Sequence, residues 1–310
     1  MMHFERGAVM RTPSAEVRAG GKGIDSARVV NSLGTTAPLV LLLGDHDARR
    51  FRRMLEVEKL DYCFTTYSGD IRVATMYMEE GSPTATIINE EGPTISEMDW
   101  NRYLEAVARE MKRGEIVACM GSFPQGLTER SMEKLIELVH DNGNLLFLDT
   151  SPHFLRWAIN SGVDIVSPNL DEAEAVISKS SEDLLTGDNT DGQVRAELAA
   201  LRLCQMGVKI AIVHAGALGS AMAFNGKVIF LPVVEVVVAS TVGAGDSLAA
   251  GFILKSEEQG DVTKMNSIDW KLSLQYGIAA AGAACELGRA GDVDPQRVAE
   301  LMSQIMTADS

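Results

Sequence analysis

The chain has 310 residues, of which 46% are hydrophobic and 23% charged. This balance is typical of a folded globular protein and excludes a disordered or collagen-like chain. Lys and Arg number 28 against 43 Asp and Glu, giving a net charge of −15, so the chain as a whole would repel nucleic acid. The four cysteines are scattered and indicate neither a disulfide framework nor a zinc site, which favours a reducing cytoplasm. No apolar run near the start could serve as a signal peptide or membrane anchor, so we expect a cytoplasmic protein without a membrane partner.

Short apolar runs alternate with longer segments of helical period, which is typical of β-α-β units around a mostly parallel sheet. In chain order, the pattern predicts strands at 116–120, 145–148, 163–166 and 209–214. It predicts helices around 132–139, at 170–178 and near 194–206. Two hairpins interrupt this alternation, one at 72–89 with its turn at 80–83, and one at 220–231 with its turn at Asn225-Gly226.

The hairpin at 72–89 mixes polar and apolar residues and lies between α/β units. It is either a flap that covers an active site or an edge extension of the main sheet, and the pattern leaves both open. The polar stretch 180–192 is typical of a surface loop rather than of a domain linker. We therefore expect a single domain over 1–310 that carries a small β lid.

The segment 233–255 contains the candidate catalytic residues. An apolar, β-branched run to Ala239 predicts a strand, residues 242–247 (VGAGDS) predict a glycine turn, and an apolar helix follows. Amides at a helix start bind anions such as phosphate, and Asp246 can accept the proton of an attacking hydroxyl. The alternative is that Asp246 only caps a helix. Neither GxxxxGK[ST] nor GxGxxG occurs in the chain, so the common nucleotide-binding motifs are absent.

The VGAGDS segment resembles the C-terminal signature of the ribokinase-like (PfkB) carbohydrate kinases, and residues 19–28 (AGGKGIDSAR) resemble their N-terminal one. Residues 121–124 (GSFP), 169–172 (NLDE) and 216–219 (GALG) match further family segments in the same order. The GGKG and STVGAGD forms are similar to the branch of phosphofructokinases and tagatose-6-phosphate kinases, whose acceptors are already phosphorylated. The resemblance implies a ribokinase-like three-layer α/β/α fold with a mostly parallel central sheet and a small β lid at about 8–19 and 67–91.

The resemblance also implies a role for individual residues. It implies that Asp246 is the catalytic base and that Gly243, Ala244 and Gly245 form the anion hole. ATP would contact Gly216, Gly219, Val242 and Ser247. The sugar-phosphate acceptor would contact Gly20, Gly21, Lys22, Asp25, Arg72 and Ser122. Magnesium would be supported, through water, by Asn169 and Glu172, and oxygen donors three residues apart independently suit a hard cation. An exposed polar helix start is the alternative for that pair.

Charge adds a check on the phosphorylated acceptor. Residues 1–28 contain five basic and three acidic side chains, a net charge of +2 in a chain of −15. An acidic protein that binds anions needs such a local reversal, although solvated arginines near a terminus explain it equally well. Arg72 can grip a phosphate with two hydrogen bonds, or it is a lone surface arginine.

The sequence departs from the family pattern near its start. Relatives open with a strand and a Leu-Asn-Pro-x-x-Asp turn whose Asp holds acceptor hydroxyls, and this chain reaches Gly20-Gly21 too early to include either. We therefore expect either a start upstream of Met1 or a divergent relative. Asp25 replaces an Asn and would put a negative charge beside an anionic acceptor. The other departures are Ala74 in place of Asn, Ser167 in place of Lys, and His214 in place of a small polar residue.

The leading hypothesis is an ATP- and magnesium-dependent kinase that converts fructose 1-phosphate to fructose 1,6-bisphosphate. Tagatose 6-phosphate and fructose 6-phosphate are alternative acceptors. A kinase for an uncharged sugar or nucleoside is a further alternative, as is a non-catalytic relative that binds nucleotide or sugar phosphate and has lost its acceptor site. Because lid strands in this family often pair between subunits, the resemblance implies a homodimer formed through the lid.

Overall fold

The computed structural model describes residues 7, 9, 11–12, 15–78, 85–178 and 191–308. Within these ranges the helices are α1 (Lys22–Ser32), α2 (Ala48–Val57), α3 (Glu97–Glu110), α4 (Glu129–Asp141), α5 (Pro152–Asn160), α6 (Leu170–Ile177), α7 (Gly192–Gln205), α8 (Ala244–Glu257), α9 (Trp270–Cys285) and α10 (Pro295–Ala308). The strands are β1 (Leu39–Gly44), β2 (Tyr62–Tyr67), β3 (Ala74–Met78), β4 (Ala85–Asn89), β5 (Ile116–Met120), β6 (Leu145–Asp149), β7 (Ile165–Val166), β8 (Ile210–His214), β9 (Gly219–Phe224) and β10 (Lys227–Pro232).

The strands form one large sheet and two pairs. The six-stranded sheet has the order β10-β9-β8-β7-β6-β5. Strands β5 to β8 run parallel, while β9 and β10 are antiparallel to their neighbours. Strands β1 and β2 form a separate parallel pair, and β3 and β4 form a separate antiparallel pair. The predicted mostly parallel sheet is confirmed, and its strands start and end within one residue of the prediction except for β7, which is shorter.

Helices cover both faces of the six-stranded sheet, because its strands alternate their apolar side chains between the two faces. Leu146 and Leu148 of β6 pack with α4, α5, α6 and α7, whereas Phe147 packs with α8 and α9 on the other face. All three side chains are fully buried, and each such burial is worth about 1.5–3 kcal/mol. The helix-sheet-helix arrangement confirms the predicted three-layer α/β/α fold.

The parallel strands lie in two separate sheets: β1 and β2 form one, and β5 is the edge strand of the other. Helix α1 contacts both strands, and α3 packs on β1 and β2. In the described part of the chain, β1 pairs only with β2 and β5 pairs only with β6. Strands inside a parallel sheet are normally buried on both faces, yet Ala118 in the middle of β5 is exposed.

Both predicted hairpins form. Strands β9 and β10 join at Asn225 and Gly226, whose φ angles of 50° and 72° give the left-handed turn that suits a twisted hairpin. Strands β3 and β4 stand apart from the larger sheet, so the hairpin at 72–89 is a separate flap and the edge-extension alternative is wrong. The predicted turn at 80–83 and most of the predicted loop at 180–192 lie outside the described residues. The described residues within 8–19 form no strand.

The strand predicted before the glycine turn is wrong. Residues 233–239 directly follow β10, the edge strand, and run as an irregular extended segment. The amides of Ala239 and Ser240 donate to the carbonyl of Cys285 at the end of α9, at 2.8 and 3.2 Å, rather than to a strand. The β-branched residues satisfy the pattern for a strand, but among the described residues this segment pairs with no strand.

Candidate active site

The glycine turn lies directly before α8. Gly243 has φ +81° and is the residue before the first turn of the helix. A Cβ built on Gly243 would lie 2.9 Å from Cβ of Ala290, so both the backbone angle and the close packing require glycine here. Asp246 follows in the first turn of α8, where the helix dipole favours negative charge. The turn and the carboxyl group are therefore held together by the start of one helix.

Asp246 is a buried carboxyl group with a strongly raised pKa. Its side chain is 8% exposed. Burial, together with the charges of Asp25 and Asp149, raises the pKa from 3.8 to about 7, and Lys22 offsets part of this rise. No described residue donates a hydrogen bond to the carboxyl group. A carboxyl group that titrates near neutral pH is well suited to accept a proton from a hydroxyl group.

The turn uses some of its own groups internally. The amide of Ala244 donates to the carbonyl of Thr241 at 3.3 Å. The hydroxyl of Ser247 is fully buried and donates to the carbonyl of Gly243 at 2.9 Å, so it stabilises the turn. Val242 donates its amide to Ser240 Oγ at 3.2 Å. Gly245 lies in the first helical turn, where backbone amides have no carbonyl partner within the helix.

Lys22 and Asp149 form an ion pair beside Asp246. Lys22 Nζ donates to Asp149 Oδ1 at 2.6 Å, and the carboxylate lies at the carboxyl end of β6. Burial disfavours the charged lysine, but the hydrogen bond and charge of Asp149, with the charges of Asp246 and Glu172, raise the pKa of Lys22. Lys22 therefore stays protonated, close to the acidic side chains of Asp149, Asp246 and Glu172. Sequence reasoning missed Asp149, although an Asp that ends an apolar run (LLFLD) is a usable signal for a site at a strand end.

Helix α1 is fixed against α8 at this site. Its start is set by Gly21, which has φ +137°, and Gly20 and Gly21 are both exposed. The hydroxyl of Ser26, one turn further on, donates to the backbone carbonyl of Asp246 at 3.0 Å. This buried contact joins residues 220 positions apart and brings the two signatures together. Sequence reasoning assigned no role to Ser26.

Asp25 is engaged by a buried arginine. Arg28 Nη1 donates to Asp25 Oδ1 at 2.5 Å, and the same guanidinium holds Glu58 with two hydrogen bonds and donates to the carbonyl of Ala19. Arg28 is 6% exposed. Burial raises the pKa of Asp25, and Arg28 lowers it in part. Asp25 therefore forms an ion pair with Arg28, a cation that it shares with Glu58.

Asn169 and Glu172 begin α6 as a reciprocal capping box. The amide of Glu172 donates to Asn169 Oδ1 at 2.8 Å, and the amide of Asn169 donates to Glu172 Oε2 at 3.0 Å. These hydrogen bonds are those expected if the pair only starts a helix. Glu172 also has a second effect, because its negative charge raises the pKa of Lys22. In the described ranges no group of three or more His, Cys, Asp or Glu side chains could hold a metal ion.

The predicted nucleotide-side glycines follow β8. Gly216 is exposed, with φ +58°, whereas Gly219 is buried at the start of β9. A Cβ on Gly219 would lie 2.2 Å from the carbonyl oxygen of Leu231, so the β9–β10 pairing requires this glycine. His214 at the end of β8 contacts Ser167 Oγ through Nε2 at 2.8 Å and Ser220 Oγ through Nδ1 at 3.1 Å. Burial lowers the pKa of His214 to about 4, so it is a neutral, packed histidine.

Arg72 and Ser122 are both exposed. Arg72 lies two residues before β3 and Ser122 lies two residues after β5. Within the described part of the chain, neither side chain makes a hydrogen bond or ion pair with the cluster of Asp246, Lys22 and Asp149. The structure therefore brings together Lys22, Asp246 and the start of α6. Gly121, the residue before Ser122, donates its amide to the carbonyl of Asp149 at 2.8 Å.

No helix among the described residues has the length and apolar character needed to cross a membrane.

The sequence pattern of the pfkB family carbohydrate kinases matches residues 2–297. The chain is 27% identical over 256 residues to 1-phosphofructokinase of Bacillus subtilis, covering 83% of this chain and 80% of that protein. It is 25% identical over 250 residues to tagatose-6-phosphate kinase of Staphylococcus epidermidis, covering 80% and 77%.

The fold is similar to solved structures as well. Phosphofructokinase-2 from Escherichia coli, in complex with substrates and products, superimposes with a TM-score of 0.82 at 22% identity, covering 98% of this chain and 93% of that one. Ribokinase from Thermotoga maritima gives a TM-score of 0.69 at 19% identity, covering 97% and 93%. The ribokinase-like fold is thereby confirmed, and the chain belongs to the pfkB family of carbohydrate kinases.

Proposed function

We propose that this carbohydrate kinase transfers the terminal phosphoryl group of ATP to a sugar phosphate, with fructose 1-phosphate as the preferred acceptor. The observation that carries the proposal is the buried carboxyl group of Asp246, which titrates near pH 7 at the start of a helix beside the glycine turn. The match to a 1-phosphofructokinase and to a tagatose-6-phosphate kinase supports a phosphorylated acceptor.

In the proposed reaction, a hydroxyl oxygen of the acceptor attacks the terminal phosphorus of ATP. The O–H bond breaks and its proton passes to Asp246, while the bond from phosphorus to the bridging oxygen breaks and ADP leaves. Amides of the glycine turn, with Gly245 foremost, stabilise the charge on the transferred group. The ammonium group of Lys22 releases Asp149 and binds a phosphate oxygen of the substrates instead.

Asp149, Glu172 and Asn169 would support Mg²⁺ in this reaction. They offer hard oxygen donors, which this cation prefers, and Mg²⁺ usually takes one or two carboxylates together with substrate phosphates rather than a complete protein cage. When bound, Mg²⁺ would neutralise charge on the phosphates of ATP. The residues present therefore fit the ion.

Arg72 is proposed to contact the phosphate of the acceptor. It is exposed at the base of the β3–β4 flap and forms no ion pair with a described residue, so its guanidinium is free to bind an anion. The ion pair between Asp25 and Arg28 reduces the repulsion that Asp25 would exert on an anionic acceptor.

The proposal is tested by measuring ADP release with ATP and Mg²⁺ on fructose 1-phosphate, tagatose 6-phosphate, fructose 6-phosphate and uncharged fructose. We expect turnover to be highest with fructose 1-phosphate. Faster turnover with fructose would refute the phosphorylated acceptor. Turnover on none of these compounds, with ATP still bound, would favour the non-catalytic alternative.

The exposed flap is proposed to pair with a second copy of the chain. Met76 of β3 and Ile88 of β4 are 42% and 55% exposed. An isolated two-stranded sheet is at best marginally stable in water, so further burial of these side chains would stabilise it. Ile88→Glu is expected to convert a dimer to a monomer in sedimentation velocity, while a wild-type protein that is already monomeric would refute the pairing.

A further inference from the structure

A cleft lined by arginines lies between α2 and two loops. Its basic residues are Arg18, Arg50, Arg53 and Arg289, and its acidic ones are Glu16, Glu58 and Asp292. The cleft has a volume of about 600 Å³, which is in the range of small-molecule sites. We call it the arginine cleft.

Two of these arginines have no counter-ion. In the part of the chain that the structure describes, the guanidinium groups of Arg50 and Arg53 make neither a hydrogen bond nor an ion pair, and both residues are exposed one turn apart on α2. Arg18 adds a buried Nε that has no hydrogen-bond partner. Arg18 itself lies 3.9 Å from Glu58 and 3.8 Å from Asp292, so the cations left for an anion are Arg50 and Arg53. In a chain with a net charge of −15, two such neighbouring guanidinium groups attract an anion.

The acidic residues of the cleft are already engaged. Glu58 receives two hydrogen bonds from the buried Arg28, and Glu16 pairs with Arg289. Asp292 lies within ion-pair distance of both Arg18 and Arg289. They therefore do little to neutralise Arg50 and Arg53. The rim also carries Val17 and Val57, which are 63% and 82% exposed, so a ligand with both anionic groups and a carbon skeleton would fit.

The loop 289–292 connects this cleft to the glycine turn. Arg289 and Asp292 line the cleft, and Arg18 donates to the carbonyl of Ala290 at 3.3 Å. Ala290 packs closely on Gly243: a Cβ built on Gly243 would lie 2.9 Å from the Cβ of Ala290. A Cβ on Gly291 would likewise lie 2.9 Å from the carbonyl oxygen of Asp25. A ligand that moves Arg18 or Arg289 therefore acts on residues that contact the candidate active site.

We propose that the arginine cleft binds a small phosphorylated effector, and that the loop 289–292 transmits its binding to the glycine turn. The binding step is independent of the proposed function, whereas the effect on turnover rests on it. The site differs from the substrate site around Lys22 and Asp246, and shares none of its residues.

Binding is tested by calorimetric titration of inorganic pyrophosphate into four proteins at low salt. Arg53→Glu reverses a charge within the cleft, and Arg49→Glu reverses one on the same helix at an exposed arginine that does not line it. We expect Arg53→Glu to weaken binding at least tenfold, while Arg49→Glu and Lys22→Gln retain it. Equal weakening in Arg49→Glu and Arg53→Glu, loss in Lys22→Gln alone, or no binding at all would overturn the proposal.

Coupling is tested by the concentration of ATP needed for half-maximal turnover, with and without saturating pyrophosphate. We expect a shift of at least threefold in the wild type and in Arg49→Glu, and none in Arg53→Glu. A shift of the same size in Arg53→Glu would overturn the coupling. If the protein bound pyrophosphate in the cleft but phosphorylated no sugar phosphate, the proposed function would be refuted and anion binding by the arginine cleft would still be supported.

Discussion

Replacing Asp246 by Asn is expected to reduce turnover and, above pH 7, to stabilise the fold. The carboxyl group is 8% exposed, and burial raises its pKa from 3.8 to about 7. Between these two values the unfolded chain has lost the proton while the folded protein still holds it. Folding stability from this group is therefore complete below pH 4 and is lost as the pH rises towards 7.

The magnitude follows from the difference between the two pKa values. At 1.36 kcal/mol for each pKa unit, the ionised carboxylate costs the fold at most about 4 kcal/mol above pH 7. Asn has the same shape and carries no charge at any pH. The stability advantage of Asp246→Asn should therefore grow by about 2 kcal/mol between pH 5.5 and pH 8.

Urea unfolding of the wild type and of Asp246→Asn at these two pH values measures the effect. Asp141→Asn, at an exposed carboxylate ending α4, is the matched control and should be neutral. Turnover should fall by about 10² to 10⁴, the usual contribution of a general base. A stability difference that does not change with pH would refute the buried, neutral carboxyl group, and unchanged turnover would remove Asp246 from the mechanism.

Three further substitutions test the packing around the site, each by urea unfolding. Lys22→Met leaves the buried Asp149 without its cation, so we expect a loss of about 1–3 kcal/mol, and an unchanged stability would contradict a structural ion pair. Gly219→Ala places a Cβ 2.2 Å from a carbonyl oxygen and should cost more than Gly216→Ala, which meets open space; equal losses would argue against the close strand contact. Arg28→Met removes a 6% exposed cation from two carboxylates and should cost about 3–5 kcal/mol, whereas a loss below 1 kcal/mol would show that the carboxylates find other partners.

Local patterns account for the elements that were predicted correctly. The apolar periods of α4 and β6 depend only on neighbouring residues, since a helix or strand buries one side at a fixed spacing. The same rule fails at 233–239, where the residue types favour a strand but strand formation also requires a free edge on a neighbouring strand. Pairing with a neighbouring strand is a property of the whole sheet, so the local pattern could not indicate that this segment stays unpaired.

The sequence by itself determined the layered α/β architecture, the glycine turn before α8 and the family, because each depends on short runs of adjacent residues. Only the tertiary structure decided which side chains act on one another. Asp149 meets Lys22 across 127 positions, and Ser26 meets Asp246 across 220. The raised pKa of Asp246 and the ion pair of Asp25 with Arg28 arise from burial and from charges a few ångströms away, and such distances exist only after the chain has folded.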